Sequence, residues 1–387
     1  MKICVLGWYG TETIGDRAIL AGIISLINQK NNEYKIYLGS LYPFYSKRML
    51  KEDYKLYELL LNRKLEIELF NSKDICELEL KIEASDVVMI AGGPLMDLPE
   101  LHMLKYAFRY AHKKNKKNII FGCGIGPLFC EEFRQCVLDI TKMADVIILR
   151  DTISKRNLLD ISQKYNYNID ITKIFVSFDP AVECAWKYKI NNSYSKNAKK
   201  NTIVVNLREF PMEYSKDKSI KDQVNKRIIN FLYEIVQNNR DKSILLLPMH
   251  YFFIGNDDRY YLNYLLQTHM KNYKNIFVQN KPLSLVETMD KFIDADYAIG
   301  MRFHSIVLET ILNGNNYILD YTEFKKGKIS GFIDDCDKNG FYNERYVCLQ
   351  NEFSKIDLRF SKNVFEMSDS YYLSNRRIYM KAMSSIF

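Results

Sequence analysis

The sequence predicts an α/β protein made of two doubly wound units in series, each a mainly parallel sheet flanked by helices. Three observations carry this. Short apolar runs rich in β-branched residues alternate with segments of helical period. The alternation stops once, in the polar stretch 187–201 ("KYKINNSYSKNAKKN"), and then restarts. Residues that do chemistry, namely Gly, Asp, Arg and His, recur just past the ends of the apolar runs, where open α/β sheets bind ligands.

Taken in order, the first half carries expected strands at 2–6, 35–39, 65–69, 86–91, 118–122, 145–149 and 173–177, with helical patterns between them at, for example, 15–29, 100–114 and 152–163. After the polar stretch, strands are expected at 202–206, 243–247, 275–278, 296–299 and 316–319, and helices at 219–238, 257–271, 284–293 and 303–313. This gives a domain over 1–188, a second over 202–365, and an amphipathic closing helix over 366–387. Two such domains in series are expected to face a common cleft with the carboxyl ends of their strands, so function should sit in the turns that follow strands.

Composition narrows the class. A chain of 387 residues has length for two ordinary cores. With 47% apolar and 26% charged residues it is globular and not disordered. No apolar run approaches the roughly 18 residues that a membrane span needs. The opening "MKICVLGWYGTE" is too short in its apolar part for a signal peptide and reads as a first strand. The expected location is the cytoplasm, with the inner face of the membrane as the alternative.

The eight cysteines are scattered, without a C-x-x-C or Cys/His cluster, so no metal site is expected. Cys4 and Cys123 lie in apolar runs, as buried thiols do. The net charge of +8 has two sources to weigh. One is a composition rich in Lys, Asn, Ile and Tyr. The other is an anionic partner, either a phosphorylated substrate or an acidic membrane surface. Nucleic acid is not expected, because the longest basic run, "HKKNKK" at 112–117, lacks interleaved aromatics and sits where a helix should end.

Residues 10–17, "GTETIGDR", come close to a Walker A loop, with Gly10 and Gly15 correctly spaced, but Asp16 stands at the lysine position and Arg17 at the Ser/Thr position. Asp16 would repel a phosphate. Thr11, Thr13 and Asp16 instead suit sugar hydroxyls, with Asp16 able to accept a proton; its plainer role is a helix N-cap. Glycine-rich turns follow two more strands, "GGPLMD" with Gly93 and "GCGIGP" with Gly124. These admit close backbone approach to a ligand or serve tight turns. No dinucleotide fingerprint is completed, so no nicotinamide or flavin cofactor is expected. Asp151, ahead of "TISKRNL", reads as a helix N-cap.

The second half is sharper. Arg208 follows the strand at 202–206, His250 follows that at 243–247, and Arg302 and His304 ("MRFHS") follow that at 296–299. Arginine grips carboxylates and phosphates through two nitrogens, and a helix starting at Arg302 adds its dipole. His304 is a candidate proton donor near neutral pH. The plainer alternative pairs Arg302 with a local carboxylate and makes His304 a cap. Lys325, Lys326 and Lys328 in "DYTEFKKGKISGF" are further candidates for the anion site, Lys326 being the one expected to be merely solvated. His102, His112 and His269 fall on helical patterns and are expected at the surface.

The succession "GWYGTETIGDRAIL", "AGGPLM", "GCGIGPL", "RDTIS", "FDPA", "LPMH", "GMRFHSIV" and "KISGF" resembles the polysaccharide pyruvyl transferase family over residues 1–335. The resemblance implies two Rossmann-like domains like those of the GT-B glycosyltransferases. It also implies transfer of a pyruvyl group from phosphoenolpyruvate to two hydroxyls of a sugar, giving a cyclic ketal and phosphate. The donor is a substrate, and no cofactor is implied. The acceptor would be a glycan or its lipid-linked or nucleotide-linked precursor, with peripheral membrane association if it is lipid-linked. The family's catalytic Arg and His match Arg302 and His304; Arg208 matches a donor-binding arginine by its place after the first strand of the second domain. His250 and Lys328 join the donor site by position. The first loop departs from the family, with "GTET" where many members are Asn-rich. Two other readings stay open: a GT-B glycosyltransferase with a nucleotide-sugar donor, and a non-catalytic scaffold.

Overall fold

The computed structural model describes residues 1–30, 33–192, 201–214, 217–351, 363–384 and 386. The chain divides into two compact units. Met1–Glu12, Asp16–Cys184 and Ser368–Phe387 form the first; Thr13–Gly15 and Ala185–Met367 form the second.

The chain begins with β1 (Lys2–Leu6), α1 (Ile14–Lys30), β2 (Lys35–Ser40), α2 (Pro43–Glu52), α3 (Tyr54–Leu61), β3 (Ile67–Asn71), α4 (Ile75–Glu83), β4 (Val87–Ala91) and the two-residue β5 (Pro94–Leu95). It continues with α5 (Glu100–Lys113), β6 (Lys117–Ile125), α6 (Glu131–Met143), β7 (Val146–Leu149), α7 (Thr152–Lys164), β8 (Ile174–Val176) and α8 (Pro180–Asn191). The strands form one sheet of order β3-β2-β1-β4-β6-β7-β8, with β5 paired to β6, and the pairings are parallel. Strands covered by helices on both faces read as unbroken apolar runs rather than alternating ones. β4, Val-Val-Met-Ile-Ala, is buried at every position.

The second unit contains β9 (Thr202–Val205), α9 (Lys218–Asn238), β10 (Ser243–Leu246), α10 (Asp258–His269), β11 (Ile276–Val278), α11 (Leu285–Asp294) and β12 (Tyr297–Gly300). After these come α12 (Phe303–Leu312), β13 (Asn316–Asp320), α13 (Lys328–Cys336) and β14 (Tyr346–Cys348). Its parallel sheet has the order β11-β10-β9-β12-β13-β14. Counted within the unit this is 3-2-1-4-5-6, the Rossmann order, which reverses between β9 and β12. The first sheet reverses in the same way between β1 and β4. Local chemistry supports the elements: Ser284 and Glu287 form a capping box on α11, and Asp151 caps α7 by accepting from the Ser154 amide, as expected from sequence.

Two local expectations are corrected. The polar stretch expected to begin at 187 is helical to Asn191. The last turns of α8 are anchored within the second unit, where the Tyr188 hydroxyl donates to Asp290 at 2.8 Å and Lys189 donates to the Ile311 carbonyl at 2.7 Å. The rest of that stretch, 193–200, lies outside the described residues. Asp16 is not a helix cap either. α1 begins at Ile14, which puts the cap position at residue 13 and makes Asp16 the third residue of the helix, and its carboxylate accepts from the Thr11 hydroxyl at 3.0 Å.

The final helix, α14 (Asp369–Met383), belongs to the first unit. Its Tyr379 hydroxyl donates to the Phe178 carbonyl at 2.6 Å, and its Tyr372 hydroxyl donates to Glu183 at 2.7 Å. Among the described residues, no helix is long and apolar enough to cross a membrane.

Candidate active site

The point where the second sheet reverses its order is tied together by Asn206, directly after β9. Its amide N–H donates to Ile299 of β12 at 2.8 Å and its side-chain nitrogen donates to Leu247, just past β10, at 2.9 Å. Its side-chain oxygen accepts from the Arg302 amide at 3.0 Å. One buried side chain thus fixes three neighbouring strand ends. Arg208 and Arg302 leave from the two strands that flank the reversal, and both line one cavity of about 650 Å3.

Arg302 precedes α12 and is oriented by Asp258, at the start of α10. The Arg302 Nε lies 3.0 and 2.8 Å from the two Asp258 oxygens, and its Nη2 donates to the same carboxylate. Asp258 also accepts from the Met249 and His250 amides at 3.0 and 3.1 Å. The local-carboxylate alternative is therefore realised, but on one edge of the guanidinium only. Burial together with the nearby Arg208 guanidinium lowers the Arg302 pKa, which is the signature of two cations held in one small space. Such a pair is relieved by an anion.

Arg208 packs its guanidinium over the Tyr321 ring at 5.6 Å. Lys328, at the start of α13, lies 5.3 Å from the Tyr214 ring and 5.9 Å from the Phe303 ring. Burial pushes the Tyr321 phenol up, but Lys328, Arg208 and Arg302 together outweigh this and bring it below its ordinary value. Three cationic side chains predicted from sequence therefore converge on one tyrosine. Of the other lysines in that stretch, Lys326 is exposed and paired with Glu323, and Lys325 is exposed.

His250 is buried, and its Nε2 has no hydrogen-bond partner among the described residues. Burial, with Arg302 adding to it, pushes its imidazole down to about 4, so it is neutral at physiological pH. It therefore brings no charge to the site, and it lies behind the residues that line the cavity. His304 sits in the first turn of α12 with its ring 5.0 Å from that of Phe303. Residues 13–15, which count with this unit, reach the same region. Thr13 bridges to His250, the Ile14 amide donates to Met249 at 3.0 Å, and a Cβ on Gly15 would come within 2.0 Å of the His304 Nδ1. Glycine is needed there for the imidazole to fit.

In the first unit, the sequence-predicted groups have local occupations. Thr11 donates to the Trp8 carbonyl at 2.8 Å as well as to Asp16. Gly93 has φ +68°, and a Cβ there would meet the Trp8 ring at 2.2 Å. A Cβ on Gly124 would meet the Arg150 guanidinium at 2.5 Å. Arg150 is buried between Asp151 at 3.4 Å and Asp179 at 3.3 Å. Both glycine turns make room for large neighbours. Arg17 is equally occupied: its Nε is 2.6 Å from Asp53 and its Nη2 is 3.0 Å from Glu52.

Sequence reasoning missed Asp258, Asn206 and Tyr321. Asp258 reads from sequence as one more acidic residue at a helix start. Tyr321 lies inside "DYTEFKKGKISGF", where the lysines are the residues whose charge is legible locally. No group of three or more His, Cys, Asp and Glu side chains suited to a metal occurs among the described residues.

Solved structures similar to this chain share the two-domain architecture at low identity. A UDP-GlcNAc 2-epimerase from Methanocaldococcus jannaschii, in complex with UDP-GlcNAc and UDP, superposes with a TM-score of 0.58 at 16% identity, covering 99% of this chain and 100% of that one. A UDP-GlcNAc 2-epimerase from Neisseria meningitidis, bound to UDP-GlcNAc, gives 0.53 at 11% identity, with 100% of each chain covered. An α,α-trehalose 6-phosphate synthase from Burkholderia multivorans gives 0.52 at 9%, covering 100% of this chain and 97% of that one. These likenesses establish the fold, two Rossmann-like domains of the GT-B class. No curated protein matches the chain. The polysaccharide pyruvyl transferase family model matches residues 14–322, a span that takes in Arg208, His250, Arg302 and His304. On that match, with its four strand-end residues in one unit, the chain belongs to the polysaccharide pyruvyl transferase family.

Proposed function

We propose that the protein transfers a pyruvyl group from phosphoenolpyruvate onto two hydroxyls of a sugar, in a glycan or its lipid-linked or nucleotide-linked precursor, forming a ketal and releasing phosphate. The observation that carries this reading is the pair of guanidiniums, Arg208 and Arg302, lining one cavity beside the N-terminus of α12. A three-carbon donor with a carboxylate and a phosphate close together needs two such groups, and a helix N-terminus favours the same charge. Lys328 adds a third cation, whereas neutral His250 adds none.

In the proposed reaction the methylene carbon of the donor takes a proton from His304. This leaves a cation at the adjoining carbon that a sugar hydroxyl attacks, losing its proton. Phosphate departs, and the second hydroxyl closes the ketal, its proton passing to the released phosphate. Arg302 and Arg208 stabilise the departing phosphate. Thr11, Thr13 and Asp16 remain candidates for the acceptor hydroxyls, with Asp16 as the proton acceptor. Asp16→Asn separates chemistry from local structure, since only a catalytic role lowers turnover while leaving the unfolding midpoint in place. The proposed place of work is the cytoplasm, at the membrane's inner face if the acceptor is lipid-linked.

The test is a mass-spectrometric screen of sugar acceptors with phosphoenolpyruvate, followed for pyruvyl addition and for phosphate released only when acceptor is present. His304→Gln should remove most of that release. Tight binding of a uridine or cytidine nucleotide with none of phosphoenolpyruvate would overturn the reading in favour of a nucleotide-sugar glycosyltransferase.

A further inference from the structure

The cavity holding the two arginines is larger than a three-carbon phosphoester requires. At about 650 Å3 it falls in the middle of the range, roughly 300–1,000 Å3, of pockets that enclose drug-sized ligands. Its remaining wall carries several aromatic rings, with the carboxylates of Glu209 and Asp257 also lining it. Phe253, Tyr260 and Tyr264 all line it, and they are 77%, 79% and 53% exposed. Tyr260 and Tyr264 are one helical turn apart on α10, so their rings stand on one face of that helix. Large aromatic side chains left this open together, beside an anion site, are uncommon unless something covers them. The polar groups along the same wall include the side-chain amides of Asn225 and Asn256, which donate and accept but carry no charge.

We infer that this shelf binds a pyranose ring of the acceptor, stacked by its C–H face on Tyr260, Tyr264 and Phe253, with its hydroxyls toward Asn225 and Asn256. The inference rests on the proposed pyruvyl transfer, which needs a ring bearing two hydroxyls next to the donor. Sugar rings join an apolar face to a rim of hydroxyls, and aromatic rings beside uncharged amides complement both. Because Arg302 and the shelf share one cavity, a ring stacked there lies beside the donor's phosphate end. Tyr260, Tyr264 and Phe253 would then govern which sugar is accepted, while the arginines govern the donor.

The test is saturation-transfer NMR on the full-length protein with methyl glycosides of galactose, glucose, mannose and N-acetylglucosamine, and with UMP. The variants are Tyr260→Ala/Tyr264→Ala and Phe253→Ala. All three side chains are more than half exposed, although Tyr264 also packs on the Tyr261 and His269 rings, and circular dichroism checks folding. At least one methyl pyranoside should give signals strongest at its ring C–H protons. Its affinity should fall about tenfold in the double variant, the size of stacking contributions measured by alanine substitution. Phosphoenolpyruvate affinity, read by calorimetry on the same samples, should stay within about twofold of wild type because the arginines are untouched. Pyranoside binding that is absent, or undiminished in the double variant, overturns the shelf, as does a signal from UMP alone that the substitutions abolish. Failure of the donor reading shows separately, as no phosphoenolpyruvate binding to the wild type.

Discussion

Asp258 holds Arg302 by its Nε edge, at 2.8 and 3.0 Å from the two carboxylate oxygens, although the residues are 44 positions apart in sequence. The same carboxylate accepts two backbone amides from the turn carrying His250. The Arg302 guanidinium is thus aimed by the protein itself, and the charge of Asp258 is spent within the protein. Asp258→Asn keeps the shape but loses the charge. The expected outcome is a KM for phosphoenolpyruvate raised about tenfold or more with a smaller change in kcat, because Asp258 positions a binding group. Stability should fall by about 3 kcal/mol, the scale for breaking a buried pair. Steady-state kinetics with urea unfolding checks both, and an unchanged KM would remove Asp258 from the site.

His250 makes stability depend on pH with a definite sign. Its folded pKa of about 4 lies below the ordinary 6.5, so the unfolded chain binds more protons between those values. Its contribution is complete above about pH 6.5 and declines as pH falls toward 4. The drop amounts to about 3 kcal/mol over that window. Urea midpoints measured from pH 7.5 to 4.5 should fall more steeply for wild type than for His250→Gln. Parallel curves would show that burial does not hold the imidazole neutral.

Gly15 tests whether the seat of His304 matters. Alanine is the better helix former and suits the start of α1, but its Cβ would meet the imidazole at 2.0 Å. Turning the ring away does not clear the new methyl, because the His304 Cβ would itself lie 2.8 Å from it, so the backbone must shift as well. Gly15→Ala should therefore lower the melting temperature and also lower turnover by about tenfold or more, as displacement of a proton donor does. Full turnover in this variant would mean that the imidazole acts from another position.

Arg17 is a structural ion-pair residue, in contrast to the arginines of the second unit. It is buried with Asp53, which is fully buried, and also pairs with the exposed Glu52. Arg17→Met strands a buried carboxylate and should cost about 3–5 kcal/mol, whereas Arg17→Met/Asp53→Leu should recover much of it. Chemical unfolding of the two variants decides this, and equal losses would show that the pair is not the unit of stability.

The elements and the candidate cations were readable in the sequence because both signals are local. Buried parallel strands write themselves as short apolar β-branched runs, and strand-end residues follow immediately, which is how Arg208, His250, Arg302 and His304 stood out. The end of α8 is not legible in the local sequence because Tyr188 and Lys189 are held by Asp290 and Ile311, partners that no local window contains. Asp16 lies three residues past the cap position, a difference set by where α1 starts.

What only the tertiary structure decided is which of these groups meet. The strand order 3-2-1-4-5-6 places β9 beside β12, and hence Arg208 near Arg302, with Asn206 stitching their turns. It aims Asp258 at Arg302, gathers three cations on Tyr321, and sets the open rings of α10 along the same cavity. Sequence alone determined the kinds of element and the residues able to do chemistry. Their partnerships depend on contacts between segments far apart in the chain, which exist only once the sheet has assembled in that order.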